Sequence, residues 1–216
     1  MKKNLSDIDE LIDLLGMDID QKMITAQLPD PDLLTFYNNL TRREIWLDSE
    51  VNVSTLQISK LIYHFNKKDE EDGIPAEERK PIKIFIYCYG GEVSACFNLV
   101  DTIALSKTPV YTYNMGVAMS AAFVILIAGH KRFALPRSTA LIHSGSGTTH
   151  GTYEQTAAQM KDYEHSVSTM RQYVLERTKI DSKTFNKKKN DEWYMYIEDQ
   201  LKLGVVDYEV KSLADL

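Results

Sequence analysis

Two residues in this chain have the types and settings that nucleophilic catalysis requires, Ser120 and His143. Ser120 stands in Gly116-Val117-Ala118-Met119-Ser120-Ala121-Ala122-Phe123, a stretch of small residues that another backbone can approach closely. The pattern predicts a small-residue helix over about 119–128 with Ser120 at its N-terminal end, where the helix field favours an oxyanion. His143 ends the apolar run Leu141-Ile142 and opens a glycine-containing segment, so its ring leaves a strand where the core meets a cleft. An imidazole there suits a general base. A third piece, Gly90-Gly91, closes a strand and opens a helix, which frees backbone N–H groups to face a developing negative charge. Taken singly, each also has a plainer reading: a serine for close helix packing, an ordinary polar contact at a strand end, a strand-to-helix turn. Of the other histidines, His64 and His165 fall on predicted helices and His130 and His150 in loops.

A Ser-His pair needs a carboxylate to orient the imidazole. No Asp or Glu lies between 120 and 143, and GxSxG is absent, so the α/β-hydrolase order of Ser, acid, His does not apply. The acid must come from elsewhere, most simply from downstream, giving the order Ser, His, acid.

The elements that position these residues alternate between strand and helix. Residues 44–47 read as a strand, followed by an apolar stripe of Leu56, Ile58, Leu61, Ile62 and Phe65 on a helix and a charged loop over 67–80. The β-forming run 83–88 leads into the glycine pair and a helix over 92–106. The unit repeats with a strand over 110–115, a break at Gly116 and the helix that carries Ser120. Short strands near 132–135 and 140–143 follow, then a long helix over 152–178. Tyr153, Ala157, Met160, Val167, Met170 and Val174 form a stripe along it. A helix over 197–203 and a strand over 205–210 close the chain. The class is therefore α/β, with right-handed crossovers between parallel strands. Upstream, Ser6 caps an amphipathic helix over about 6–15, and 18–32 reads as an extended arm. Residues 1–35 are thus an appendage and 36–216 a single domain.

Composition narrows the function. A formal charge of -6 gives no basic footprint for a nucleic-acid partner. The longest apolar run, 117–128, is too short for the roughly 20 residues of a membrane span, and the charged start offers no signal-peptide core. No membrane partner is expected. Cys88 and Cys96 flank the glycine pair in segments read as buried, which fits a reducing, cytoplasmic setting. Neither GxGxxG nor a P-loop occurs, and no cofactor or metal is expected.

These pieces in this order resemble the proteolytic subunit of the Clp protease, ClpP, over roughly 41–210. The family's Gly-x-Ala-x-Ser motif is similar to Gly116-Val117-Ala118-Met119-Ser120. Its Ala-Leu-Pro turn and x-Ile-His segment resemble Ala134-Leu135-Pro136 and Leu141-Ile142-His143. Its glycine-paired strand is similar to residues 84–91, and its closing Gly-Leu-Val/Ile-Asp to Gly204-Val205-Val206-Asp207. The resemblance implies a ClpP/crotonase-like spiral of repeated strand-strand-helix units with a protruding long helix. It also implies Ser120 as nucleophile, His143 as base, and Gly91 and Ala121 as oxyanion donors. The acid aligns with Glu192, and Asp191 is the alternative. Cys88-Tyr89 replaces the family's Ser-Pro, and Ser144-Gly145 its Gln-Pro.

By the same resemblance the chain hydrolyses unfolded polypeptides or peptides without binding ATP itself, as a homo-oligomer of seven or twice seven subunits. A separate AAA+ unfoldase is the possible feeding partner. Two other readings stay open: a noncatalytic ClpP-like ring subunit, and a crotonase-like acyl-CoA enzyme.

Overall fold

The computed structural model describes residues 31–145, 147–188 and 191–216, so the helix read at 6–15 and nearly all of the extended arm lie outside the described residues. Two compact units divide the chain between Arg42 and Arg43. The described part of the first is one helix, α1 (Pro31–Thr41), where the arm was read to reach residue 32. Proline opens it at the position where its fixed φ and missing N–H cost least.

The second unit, Arg43–Leu216, contains β1 (Glu44–Leu47), α2 (Leu56–Glu71), β2 (Ile82–Cys88), α3 (Val93–Leu105) and β3 (Val110–Met119). Then come α4 (Ala121–Ala128), β4 (Lys131–Ala134), β5 (Thr139–Ile142), α5 (Tyr153–Arg177), α6 (Ser182–Lys188), β6 (Trp193–Met195), α7 (Ile197–Lys202) and β7 (Tyr208–Glu209). Strands β1-β2-β3-β4-β7 lie in that order and are all parallel. Parallel strands are covered on both faces, which is why β2 is a nearly continuous run of buried residues rather than an alternation. Every residue of α4 is buried, as expected of the longest apolar run in the chain.

The topology turns on β3. Its first half, Tyr111–Asn114, pairs with β4, and its second half, Val117–Met119, pairs with β5. Against β2 the register slips at the same place: Ile86 faces Asn114, whereas Cys88 faces Ala118. Two steps along β2 thus match four along β3, a bulge that re-aims the chain just before Ser120. The strand does not end at Gly116, as its sequence suggested. Gly116 takes a φ of +148° and stays in the strand, and its N–H donates to Asn114 Oδ1 at 3.1 Å. Asn114, fully buried, also donates to Thr139 O at 3.1 Å and to Gln200 Oε1 at 3.2 Å. Gln200 Nε2 in turn donates to Ser138 O at 3.0 Å and Met195 O at 3.1 Å. This amide pair satisfies carbonyls that the change of partners would otherwise leave unbonded in the core.

Other departures have equally local causes. Helix α2 continues to Glu71, where a loop from 67 was expected, because Asp69 is drawn into the core. Its carboxylate accepts both terminal nitrogens of Arg43 and, at 2.8 Å, the Thr108 hydroxyl. Strand β7 is only two residues long, because Val205 and Val206 N–H both donate to Gln200 O and coil that segment against α7. Helix α6 and strand β6 have no counterpart among the elements expected from the sequence.

Helix α5 begins at a capping box between Thr152 and Gln155. Of the stripe read along it, Met170 and Val174 are buried, whereas Tyr153 is 84% exposed and Met160 46%. Its C-terminal end is fixed by Arg177, which donates to the carbonyls of Ile127, Ala128 and Gly129 that end α4.

The Asp69 cluster gives a testable stability. The hydrogen bonds from Arg43, opposed by burial and aided by Thr108, hold its pKa below the ordinary carboxylate value. A depressed pKa stabilises the fold fully above the unfolded value of about 3.9, and the effect is lost as pH falls through the folded value. Asp69→Asn is expected to lose about 3 kcal/mol at pH 7 in urea unfolding, the low end for breaking a buried pair because Arg43 is 14% exposed. The gap to wild type should close as pH falls from about 5 towards 2; a gap independent of pH would contradict this account.

Candidate active site

Ser120 lies in the one-residue joint between β3 and α4, at the N-terminal end of the helix as expected, although the helix itself starts at Ala121 rather than near 119. Its backbone has φ +55° and ψ -121°. A β-carbon is crowded at positive φ, so this conformation stores strain of about 1–3 kcal/mol. Two contacts hold it there: Ser120 N–H donates to Leu141 O at 2.9 Å, and Ser120 O accepts the Phe123 N–H at 3.0 Å. The hydroxyl makes no capping bond to the helix and remains available.

His143 follows directly on β5, which is the strand that pairs with the second half of β3. The pairing brings Ser120 and His143 together: His143 Nε2 lies 2.9 Å from Ser120 Oγ. With the ring proton on Nδ1, the hydroxyl donates to Nε2. Both side chains are half-buried. Beyond His143, Tyr163 on α5 donates its hydroxyl to Ser144 O at 3.3 Å and so ties the segment after the histidine to the long helix.

The glycine pair reaches the same spot from β2. Gly90 and Gly91 have φ of +110° and +148°. A β-carbon at Gly90 would lie 2.7 Å from Ser120 Cβ and 3.1 Å from Ala121 N, and one at Gly91 would lie 2.1 Å from Val51 O. Both positions therefore require glycine. Val51 brackets the turn: its N–H donates to Gly90 O at 2.8 Å and its carbonyl accepts Glu92 N–H at 2.7 Å. Between them, Gly91 N–H has no acceptor among the described residues. Ala121 opens α4, where helix geometry offers its N–H no partner.

Strand β6 runs antiparallel to β5, with Leu141 opposite Tyr194 and Ile142 opposite Trp193. The ladder ends at Ile142 and Trp193, and His143 and Glu192 are the next residues beyond it on their two chains. The Glu192 carboxylate accepts the Tyr194 hydroxyl at 2.8 Å through Oε2. Asp191 lies in the bend before β6, its N–H donating to Lys188 O at 2.9 Å and its side chain exposed. Sequence reasoning did not single out Tyr194. The signal was its two-residue spacing from Glu192, which puts both side chains on one face of a strand. Among the described residues, no cluster of three or more His, Cys, Asp or Glu side chains could hold a metal ion.

A family model described as Clp protease matches residues 32–212. The ATP-dependent Clp protease proteolytic subunit 2 of Treponema denticola is 31% identical over 139 residues, 63% of this chain and 70% of that protein. The ATP-dependent Clp protease proteolytic subunit of Deinococcus radiodurans is 34% identical over 128 residues, 58% of this chain and 63% of that one. A point mutant of ClpP1 from Listeria monocytogenes superimposes with a TM-score of 0.70 at 20% identity, covering 83% of this chain and 98% of that one, which shows the shared fold. The mostly parallel α/β architecture expected from the sequence is thus the ClpP fold, and the chain belongs to the Clp protease family as a ClpP-type proteolytic subunit.

Proposed function

We propose that Ser120 is the nucleophile of this serine endopeptidase, His143 its general base and Glu192 the carboxylate behind the base, with Gly91 and Ala121 N–H as the oxyanion hole. The observation that carries the reading is the 2.9 Å contact between His143 Nε2 and Ser120 Oγ. As Oγ attacks a peptide carbonyl, Nε2 takes its proton. The oxyanion is met by two N–H groups that have no other acceptor to give up, and the imidazolium then protonates the leaving amine. Water resolves the acyl-enzyme by the same route in reverse. Tyr194 holds Glu192 Oε2, which leaves Oε1 to meet His143 Nδ1.

The working form is a homo-oligomeric ring of seven subunits, single or paired, that degrades unfolded polypeptides delivered by a separate AAA+ unfoldase in the cytoplasm. Support comes from the ATP-dependent naming of the relatives and from the exposed first part of the stripe on α5. Among the described residues, no helix is long and apolar enough to cross a membrane. The peptidase domain, taken over 36–216 with 1–35 as an appendage, contains the compact unit Arg43–Leu216, and its boundary falls within α1. One observation favours a second reading, a noncatalytic ring subunit: the Glu192 carboxylate is bonded to Tyr194, not to His143. The Clp protease match over 32–212 favours either over an acyl-CoA enzyme.

A fluorophosphonate probe decides between them. Assembled wild type should be labelled, Ser120→Ala not at all, and His143→Ala about ten-thousandfold more slowly. Glu192→Gln should be strongly slowed and Asp191→Asn unchanged; the reverse would make Asp191 the acid. Unlabelled wild type would establish the noncatalytic reading. Gly90→Ala, whose new methyl would press on Ser120, should slow labelling by about a hundredfold, comparable to the loss of an oxyanion donor. Labelling of that variant at the wild-type rate would contradict the close approach of the two segments.

A further inference from the structure

Both cysteines of the chain touch the two backbone segments assigned to the oxyanion hole. Cys88, 2% exposed, is the last residue of β2, and its Sγ accepts the Gly90 N–H at 3.3 Å. The same thiol donates to Ser49 O at 3.0 Å, with Gly90 O a longer alternative acceptor at 3.7 Å. Cys96, fully buried on α3, donates to Ala121 O at 3.3 Å.

These contacts sort the donors of the glycine turn. Gly90 N–H is consumed by the Cys88 sulfur and Glu92 N–H by Val51 O, so Gly91 N–H alone is left to face the cleft. Without the sulfur, Gly90 N–H would be a buried donor with no partner, and two successive glycines have wide freedom to rotate until it finds one. Any such rotation turns Gly91 N–H away. On the other side, the Cys96 thiol ties down the carbonyl of Ala121, the residue whose N–H is the second donor. Both thiols stay protonated at neutral pH, since burial pushes Cys88 up and Cys96 up to about 12. Each therefore keeps the hydrogen it donates and cannot become a buried anion beside the site where negative charge develops.

We propose that Cys88 and Cys96 are positioning residues of the oxyanion hole, Cys88 fixing the Gly90-Gly91 turn and Cys96 fixing the start of α4. The inference rests on the peptidase reading above.

The test is steady-state cleavage of a fluorogenic peptide by the full chain, alongside fluorophosphonate labelling and thermal unfolding. Because an oxyanion donor acts in the transition state and not in substrate binding, Cys88→Ala should lower kcat at least about tenfold with KM little changed. Cys88→Ser, which restores an acceptor and a donor, should recover most of that loss, whereas a role in packing alone would make serine no better than alanine. Cys96→Ala should lower kcat in the same manner, and Cys96→Ser should restore it. Wild-type kcat in Cys88→Ala, or a Cys88→Ser protein as slow as alanine, overturns the inference while labelled wild type leaves the peptidase reading intact. If Cys88→Ala does not fold, Cys88→Ser decides alone: near wild-type kcat is expected, and a hundredfold loss overturns the inference. Wild type that is neither labelled nor active overturns the peptidase reading and this inference with it.

Discussion

No β-carbon can be built on Gly90 without entering the space of Ser120, and much of the second unit is organised to make that contact possible. The bulge in β3 delivers Ser120 to the end of β2, and the change of partner from β4 to β5 frees the edge along which His143 arrives. The Val51 bridge then holds the glycine turn against them. Each arrangement is a backbone register, and registers in a sheet buried on both faces are discrete. A slip would exchange whole faces of side chains rather than shift them slightly. The separation of 2.9 Å between Ser120 and His143 is therefore fixed by strand pairing, with the flexible side chains adding only the last adjustment.

The buried amides Asn114 and Gln200 serve the same end from below. Together they bond to β5 and β6 carbonyls or their immediate neighbours, Thr139, Ser138 and Met195, at the point where the sheet branches. A polar pair in an apolar core stabilises only when fully satisfied, and here the orphaned carbonyls of a branching sheet supply the acceptors. The strand that presents Glu192 is thereby attached to the strand that presents His143 by more than its three-residue ladder.

How much of this was readable beforehand follows from what each residue needs. Ser120, His143 and the glycine pair stood out because their local requirements, small neighbours, a strand end and positive φ, leave marks in adjacent residues. The continuation of β3 through Gly116 did not, because it depends on Asn114 reaching residues 139 and 200. Helix α2 outran its apolar stripe for a similar reason, since Asp69 looks like a solvent-facing charge until Arg43 and Thr108 are brought to it. Strand β6 is too short to show a period, so its pairing with β5 left no signature. The cysteines could be read as buried, but not what their sulfurs touch.

The backbone strain at Ser120 gives the family an evolutionary slope. Glycine at that position would have no β-carbon to crowd at φ +55°, so losing the side chain would relax the joint between β3 and α4. The residue proposed as nucleophile is thus the place where an inactive descendant would gain, not lose, folding stability. In the proposed ring, where some subunits could serve as scaffold alone, drift towards silent paralogues would run downhill in free energy, and only selection on catalysis would hold the serine in place.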